Sequence, residues 1–162
     1  MAARWQEDAI ALNPDIISIL IGTNDVGAYE DLCKRNDTPF TVEGFDFNGW
    51  EQCYRSLLDS TRAALPDVQL FLCTPFAGKA RGEVRVAITN RLAQIVSRLA
   101  EDYGCVLVPF DDLFSSLQQD EPNEKYWIWD GVHPTAAGHL RMSELWIKVA
   151  EEKGVNMADK VR

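Results

Sequence analysis

The sequence predicts an α/β fold, a three-layer α/β/α sandwich built on a parallel sheet. Short apolar runs closed by Gly or Pro recur at three places, and stretches with helical apolar spacing separate them. Five of the six residues from Ile16 to Ile21 are Ile or Leu, a run too short for a typical helix. Such a continuous apolar strand is expected to be buried on both faces, as in sheets covered by helices on each side.

Ala2 to Leu12 reads as a helix, with Trp5, Ala9, Ile10 and Leu12 as apolar contacts, closed by Asn13-Pro14-Asp15. Ile16–Ile21 is the first strand. Val26 to Gly44 is polar and punctuated by Gly, Pro and Asn-Asp, and reads as a long loop. Phe47, Trp50, Tyr54, Leu57, Leu58 and Leu65 recur at helical spacing, and Pro66 ends that helix. Val68–Cys73 is a second strand, followed by Thr74-Pro75 and a loop over Phe76–Gly82. Val84, Ile88, Leu92, Ile95, Val96 and Leu99 mark the next helix, with Gly104 as its C-cap. Cys105–Val108 is a third strand, and Asp111–Leu117 a short helix. Gln118–Lys125 reads as a loop. Thr135 N-caps a final helix with Leu140, Leu145, Trp146 and Val149 on one face. Residues 1–153 form one domain, and Gly154 to Arg162 a loosely held tail.

The 162 residues suit one domain with a sizeable core. A net charge of -9 disfavours nucleic acid and anionic membrane surfaces as partners. Cys33, Cys53, Cys73 and Cys105 lack any C-x-x-C spacing. There is no signal-peptide core and no apolar run of membrane-spanning length, so cytoplasmic residence is the default expectation.

Two stretches carry chemistry. Gly22-Thr23-Asn24-Asp25 follows the first strand, and ligands on open parallel sheets sit beyond the carboxyl ends of the strands. Gly22 permits a sharp turn, and Asn24 brings an amide donor. Trp129-Asp130-Gly131-Val132-His133-Pro134-Thr135 precedes the last helix. Asp130 can accept a hydrogen bond from one imidazole nitrogen of His133, leaving the other as a base. A plain reading stands beside this one, with Asp130 a turn residue and His133 a structural neighbour of the helix start. Asp130, His133 and His139 match none of the compact zinc spacings, and no metal is expected.

Taken together, Gly22-Thr23-Asn24-Asp25 and Asp130-Gly131-Val132-His133-Pro134 resemble blocks III and V of the SGNH (GDSL-type) hydrolase family. The resemblance covers Trp5 to Val149. It implies an esterase or acyl- or acetylhydrolase acting on a small ester without a cofactor. It makes His133 the general base, Asp130 its orienting carboxylate, Asn24 an oxyanion donor, and Gly22 and Asp25 the supports of that loop. The family's opening strand ends in Gly-Asp-Ser, and no Gly-Asp-Ser occurs in this sequence. Cys33 is the only thiol worth weighing as a substitute nucleophile. The resemblance therefore implies a flavodoxin-like sheet without its first two strands, no nucleophile in this chain, and little activity from it. It also implies a sheet edge at Ile16–Ile21 through which the chain pairs as a homo-oligomer. The alternative function is a non-catalytic oligomerising or ligand-binding domain using the same cleft. A nucleotide-binding domain would need a Gly-rich phosphate loop after the first strand, and none is there.

Overall fold

In a computed structural model, residues 2–120 and 123–155 are described. Three parallel strands, β1 (Ile16–Leu20), β2 (Gln69–Cys73) and β3 (Val106–Val108), lie in the order β1-β2-β3. Ile16 pairs with Gln69 and Leu20 with Cys73, while Phe71 pairs with Val106 and Cys73 with Val108. The helices are α1 (Trp5–Asp8), α2 (Thr23–Arg35), α3 (Phe47–Ala64), α4 (Glu83–Asp102), α5 (Phe110–Asp120), α6 (Glu124–Trp127) and α7 (Ala136–Glu152). The expected sandwich is present, with a small sheet in a mostly helical chain.

Alternation along the strands sorts side chains into two cores. Ile17, Ile19, Leu70 and Leu72 join Trp5, Leu57, Leu58, Ile88, Leu92 and Leu99 on one face. Phe71, Cys73 and Val108 join Phe110, Phe114 and Met142 on the other. Ile88, Leu92, Val96 and Leu99 of α4 are fully buried in the first core, and α7 packs against β3 and stacks Trp146 on Phe71.

Several expectations need correction. β1 is not buried on both faces: Ile17 and Ile19 are buried, but Ser18 is exposed and Leu20 is 44% exposed. That side of the edge strand is covered only in part, by Trp146 of α7, whose indole donates to Ser18 Oγ at 3.1 Å, so the two faces of the run are buried unequally. The stretch read as a loop from Val26 begins inside helix α2, which runs to Arg35; only the remainder is irregular. Ala2–Leu12 is a single turn of α-helix flanked by 3-10 turns, because Ala9 leaves helical geometry at φ -130°. The expected loop at Gln118–Lys125 is shorter, since α5 runs to Asp120 and α6 begins at Glu124; residues 121 and 122 lie outside the described residues. Leu140 does not share the packed face of α7 and is 57% exposed.

Gly104 closes α4 as expected, at φ +60°. Of the tail, Val155 is buried against the second core, its N–H donating to the Ala150 carbonyl at 2.9 Å, and residues 156–162 lie outside the described residues.

Candidate active site

The turn from β1 into α2 sets one wall of the site. Gly22 adopts φ +121°, a conformation that L side chains rarely hold, and a Cβ there would meet Leu92 and Pro75 at 3.2 Å. Its carbonyl accepts from the Val26 N–H at 3.1 Å, so helix α2 starts at the end of the strand. Asn24 and Asp25 therefore sit in the first helical turn rather than in a loop, and both are exposed. Two contacts seat α2 on the molecule. Val26 is fully buried, and Glu30 pairs with the buried Arg85 of α4 while also holding Lys34 at 2.7 Å. Hydrogen bonds from Lys34 and then Arg85 keep the Glu30 carboxyl below its ordinary value.

The opposite wall is the loop between α6 and α7. A bridge between Ile128 and Pro134 closes it, and two backbone bonds reinforce the closure. Trp129 N–H donates to the His133 carbonyl at 3.1 Å and Thr135 N–H to the Trp127 carbonyl at 2.9 Å. Thr135 caps α7, its hydroxyl accepting from Gly138 N–H at 3.1 Å and donating to the Tyr126 carbonyl at 2.7 Å.

Within this loop Asp130 is the organising group. Its Oδ1 accepts from the backbone N–H groups of Val132 (3.0 Å) and His133 (2.9 Å). Its Oδ2 lies 2.8 Å from His133 Nδ1 and 2.8 Å from Arg81 Nη2. Burial works to raise the Asp130 carboxyl, but the imidazole and the two backbone donors outweigh it and hold it far below the carboxylate range. With Nδ1 engaged by the carboxylate, Nε2 is the imidazole nitrogen left for proton transfer. The His133 ring is stacked near Trp129, centroids 6.0 Å apart and planes 23° from parallel.

Both walls border one cleft of about 410 Å³ at the carboxyl end of β1. Gly22, Asn24, Asp25 and His133 all line it, together with Leu20, Phe76, His139 and Met142. Asp130 stands behind His133 and does not line the cleft. Thr23 is the one hydroxyl-bearing side chain among the described residues lining it, and it donates to the Phe76 carbonyl at 3.4 Å. Ser18 is engaged with Trp146 Nε1 (3.1 Å) and Cys73 Sγ (3.4 Å), and Cys33 is buried near the far end of α2. No group of His, Cys, Asp or Glu among the described residues is arranged to hold a metal ion.

Two side chains stand where the sequence reading did not put them. His139, expected on the final helix as a packed or capping residue, is exposed and lines the cleft from the first turn of α7. Arg81 reaches Asp130 across 49 positions, and only a basic residue in the Phe76–Gly82 loop hinted at it.

A carboxylate-held imidazole at the carboxyl end of a parallel sheet has the geometry of an oriented general base. The chain belongs to the GDSL-like lipase/acylhydrolase family, whose profile matches residues 1–141. It is 30% identical over 151 residues to an acetylxylan esterase of Geobacillus stearothermophilus, covering 91% of this chain and 64% of that protein. The crystal structure of Axe2, an acetylxylan esterase from Geobacillus stearothermophilus, superposes with a TM-score of 0.73 at 27% identity, covering 91% of this chain and 64% of the other. LAE5, an α/β hydrolase enzyme from the metagenome of Lake Arreo, Spain, superposes with a TM-score of 0.75 at 28% identity, covering 96% of this chain and 67% of the other. Solved structures of Axe2 include catalytic mutants at a serine, an aspartate and a histidine, the last two three positions apart. This chain spans about two thirds or less of the acetylxylan esterase it matches.

Proposed function

We propose that the cleft is the base-and-oxyanion half of a serine ester hydrolase acting on a small acyl or acetyl ester. The observation that carries this is the 2.8 Å contact of His133 Nδ1 with Asp130 on a cleft shared with Asn24. Asp130 and His133 repeat the three-residue spacing of the aspartate and histidine mutated in Axe2, and that relative's activity on acetylated xylan supports an acetyl ester as substrate class.

In the proposed reaction a serine Oγ attacks the ester carbonyl carbon while His133 Nε2 accepts the hydroxyl proton. Asp130 holds the imidazole through Nδ1 and stabilises its charged form. The Asn24 amide donates to the oxyanion, a contribution of about 3 kcal/mol in the transition state. Collapse breaks the ester bond, and His133 returns its proton to the leaving alcohol. Water then attacks the acyl-serine by the same route. Asp25 and Gly22 hold the turn that presents Asn24.

No serine lines the cleft among the described residues. With no serine there, the chain alone is proposed to be nearly inert toward esters. The expected result is that the purified chain hydrolyses p-nitrophenyl acetate no faster than its His133→Ala variant. A clear loss of rate on that substitution would refute the inertness and point to another nucleophile. Fusing a Gly-Asp-Ser strand segment from an SGNH relative ahead of Met1 is expected to produce His133-dependent turnover; a fusion that folds and stays inert would refute the half-site reading.

Domain limits at 1–153 and cytoplasmic residence belong to the same proposal; among the described residues no helix is long and apolar enough to cross a membrane. So does self-association through β1, which rests on the exposed Leu20 and on the position of β1 at the sheet edge.

A further inference from the structure

Arg81 belongs to a 3-10 turn, Lys79–Arg81, in a segment that connects β2 to α4 and has no evident part in the hydrolytic half-site. Three contacts nevertheless bind this segment to the Asp130–His133 loop. Gly78 N–H donates to the Gly131 carbonyl at 2.7 Å. The Arg81 guanidinium meets Asp130 Oδ2 at 2.8 Å. Gly131, at φ +88°, lies so close that a Cβ would stand 2.8 Å from Arg81 Cγ.

The division of Asp130 between its partners is informative. Oδ1 is used by two backbone donors, so loop shape does not depend on Oδ2. Oδ2 is shared between the imidazole and the guanidinium. A carboxylate oxygen that already faces a permanent positive charge gives less stabilisation to a second one. We propose that Arg81 is a positioning residue of this site, holding Asp130 toward His133 while offsetting part of the pull that the carboxylate exerts on the imidazole proton. The consequence is a base that gives up its proton to a leaving alcohol more readily than an undivided aspartate–histidine pair would. This deepens the reading of Asp130 and His133 given above, yet its test needs no turnover.

The other ionisable groups around His133 are Asp25 and His139, which share the cleft lining. The Arg81 guanidinium is directed to Asp130 rather than to either of them. The full chain, labelled with 13C-histidine, gives two imidazole titrations by NMR, assigned with His139→Gln. Arg81→Gln is expected to raise the His133 midpoint by on the order of half a pH unit, given its 66% side-chain exposure, with His139 unmoved. Arg81→Lys keeps the charge and is expected to restore most of the shift. Raising salt toward 1 M is expected to shrink the difference between wild type and Arg81→Gln.

An unmoved His133 midpoint in folded Arg81→Gln overturns the proposal. Equal displacement by Gln and Lys also overturns it, because loop geometry rather than charge would then be responsible. If Arg81→Gln does not fold, Arg81→Met, which removes the same charge and keeps most of the side-chain length, takes its place under the same two criteria. Ester hydrolysis could fail in every fusion while this result stood.

Discussion

At the scale of single residues, Asp130 shows how four short contacts turn a turn-forming carboxylate into the anchor of a site. Two backbone N–H donors, an imidazole and a guanidinium converge on one side chain that is 19% exposed. Because its carboxyl is held below the ordinary range, the stabilisation it supplies is fully present above the unfolded-state value of about 4 and is lost as pH falls through the depressed folded value. Asp130→Asn keeps one backbone acceptor but presents an amide to two donors. It is expected to cost about 1–2 kcal/mol at neutral pH, measured by urea unfolding. The gap between variant and wild type should narrow only in strong acid; a gap that stayed constant down to the acid transition would show that Asp130 contributes no charge-dependent stability. The Asp130–His133 contact was legible in the sequence because the two residues are three apart and the loop is closed locally. The Arg81 contact was not, because no local pattern tells which of several basic residues a folded chain will return to a given carboxylate.

Among the elements, helix α7 and its cap control where His133 points. Thr135 joins the start of α7 to the end of α6 through one donated and one accepted bond, and His133 lies two positions earlier. Thr135→Ala should cost about 1–2 kcal/mol and lower the melting temperature by a few degrees. Thr135→Ser, which keeps the hydroxyl, should lose much less. Equal melting temperatures for Ala and wild type would show that the loop is fixed without the cap. The cap could be read from the sequence because Thr stands directly before the helix and supplies its own mechanism. Helix α2 could not be read from apolar spacing, since only Val26 and Cys33 are buried and its stripe is too thin. Its signal lay in charge: Asp25 in the first turn and Lys34 and Arg35 in the last complement the helix dipole. Strand β1 fails in the opposite sense, because its composition suits two covered faces and the described chain covers the second only in part, leaving Leu20 in water.

That mismatch becomes a property of the whole molecule. The exposed side of β1 carries Leu20, and α7, tied to the strand by the Trp146–Ser18 hydrogen bond, exposes Leu140 and Ile147 at 57% and 49%. An edge strand with free pairing capacity, joined to apolar side chains in water, favours association with another strand. The proposed partner is a second copy of this chain, because an edge of parallel strands can meet its own symmetry mate about a two-fold axis. Light scattering at micromolar concentration is expected to find dimers or larger species. Leu20→Lys places a charge on the edge and removes an exposed apolar side chain from the proposed contact, which should weaken association about tenfold. Self-association that is absent in the wild type, or unaffected by Leu20→Lys, would rule this edge out as the contact. Reversal of association when a Gly-Asp-Ser strand segment is fused ahead of Met1 would tie the two proposals together, since one edge cannot pair with both a second copy and an added strand.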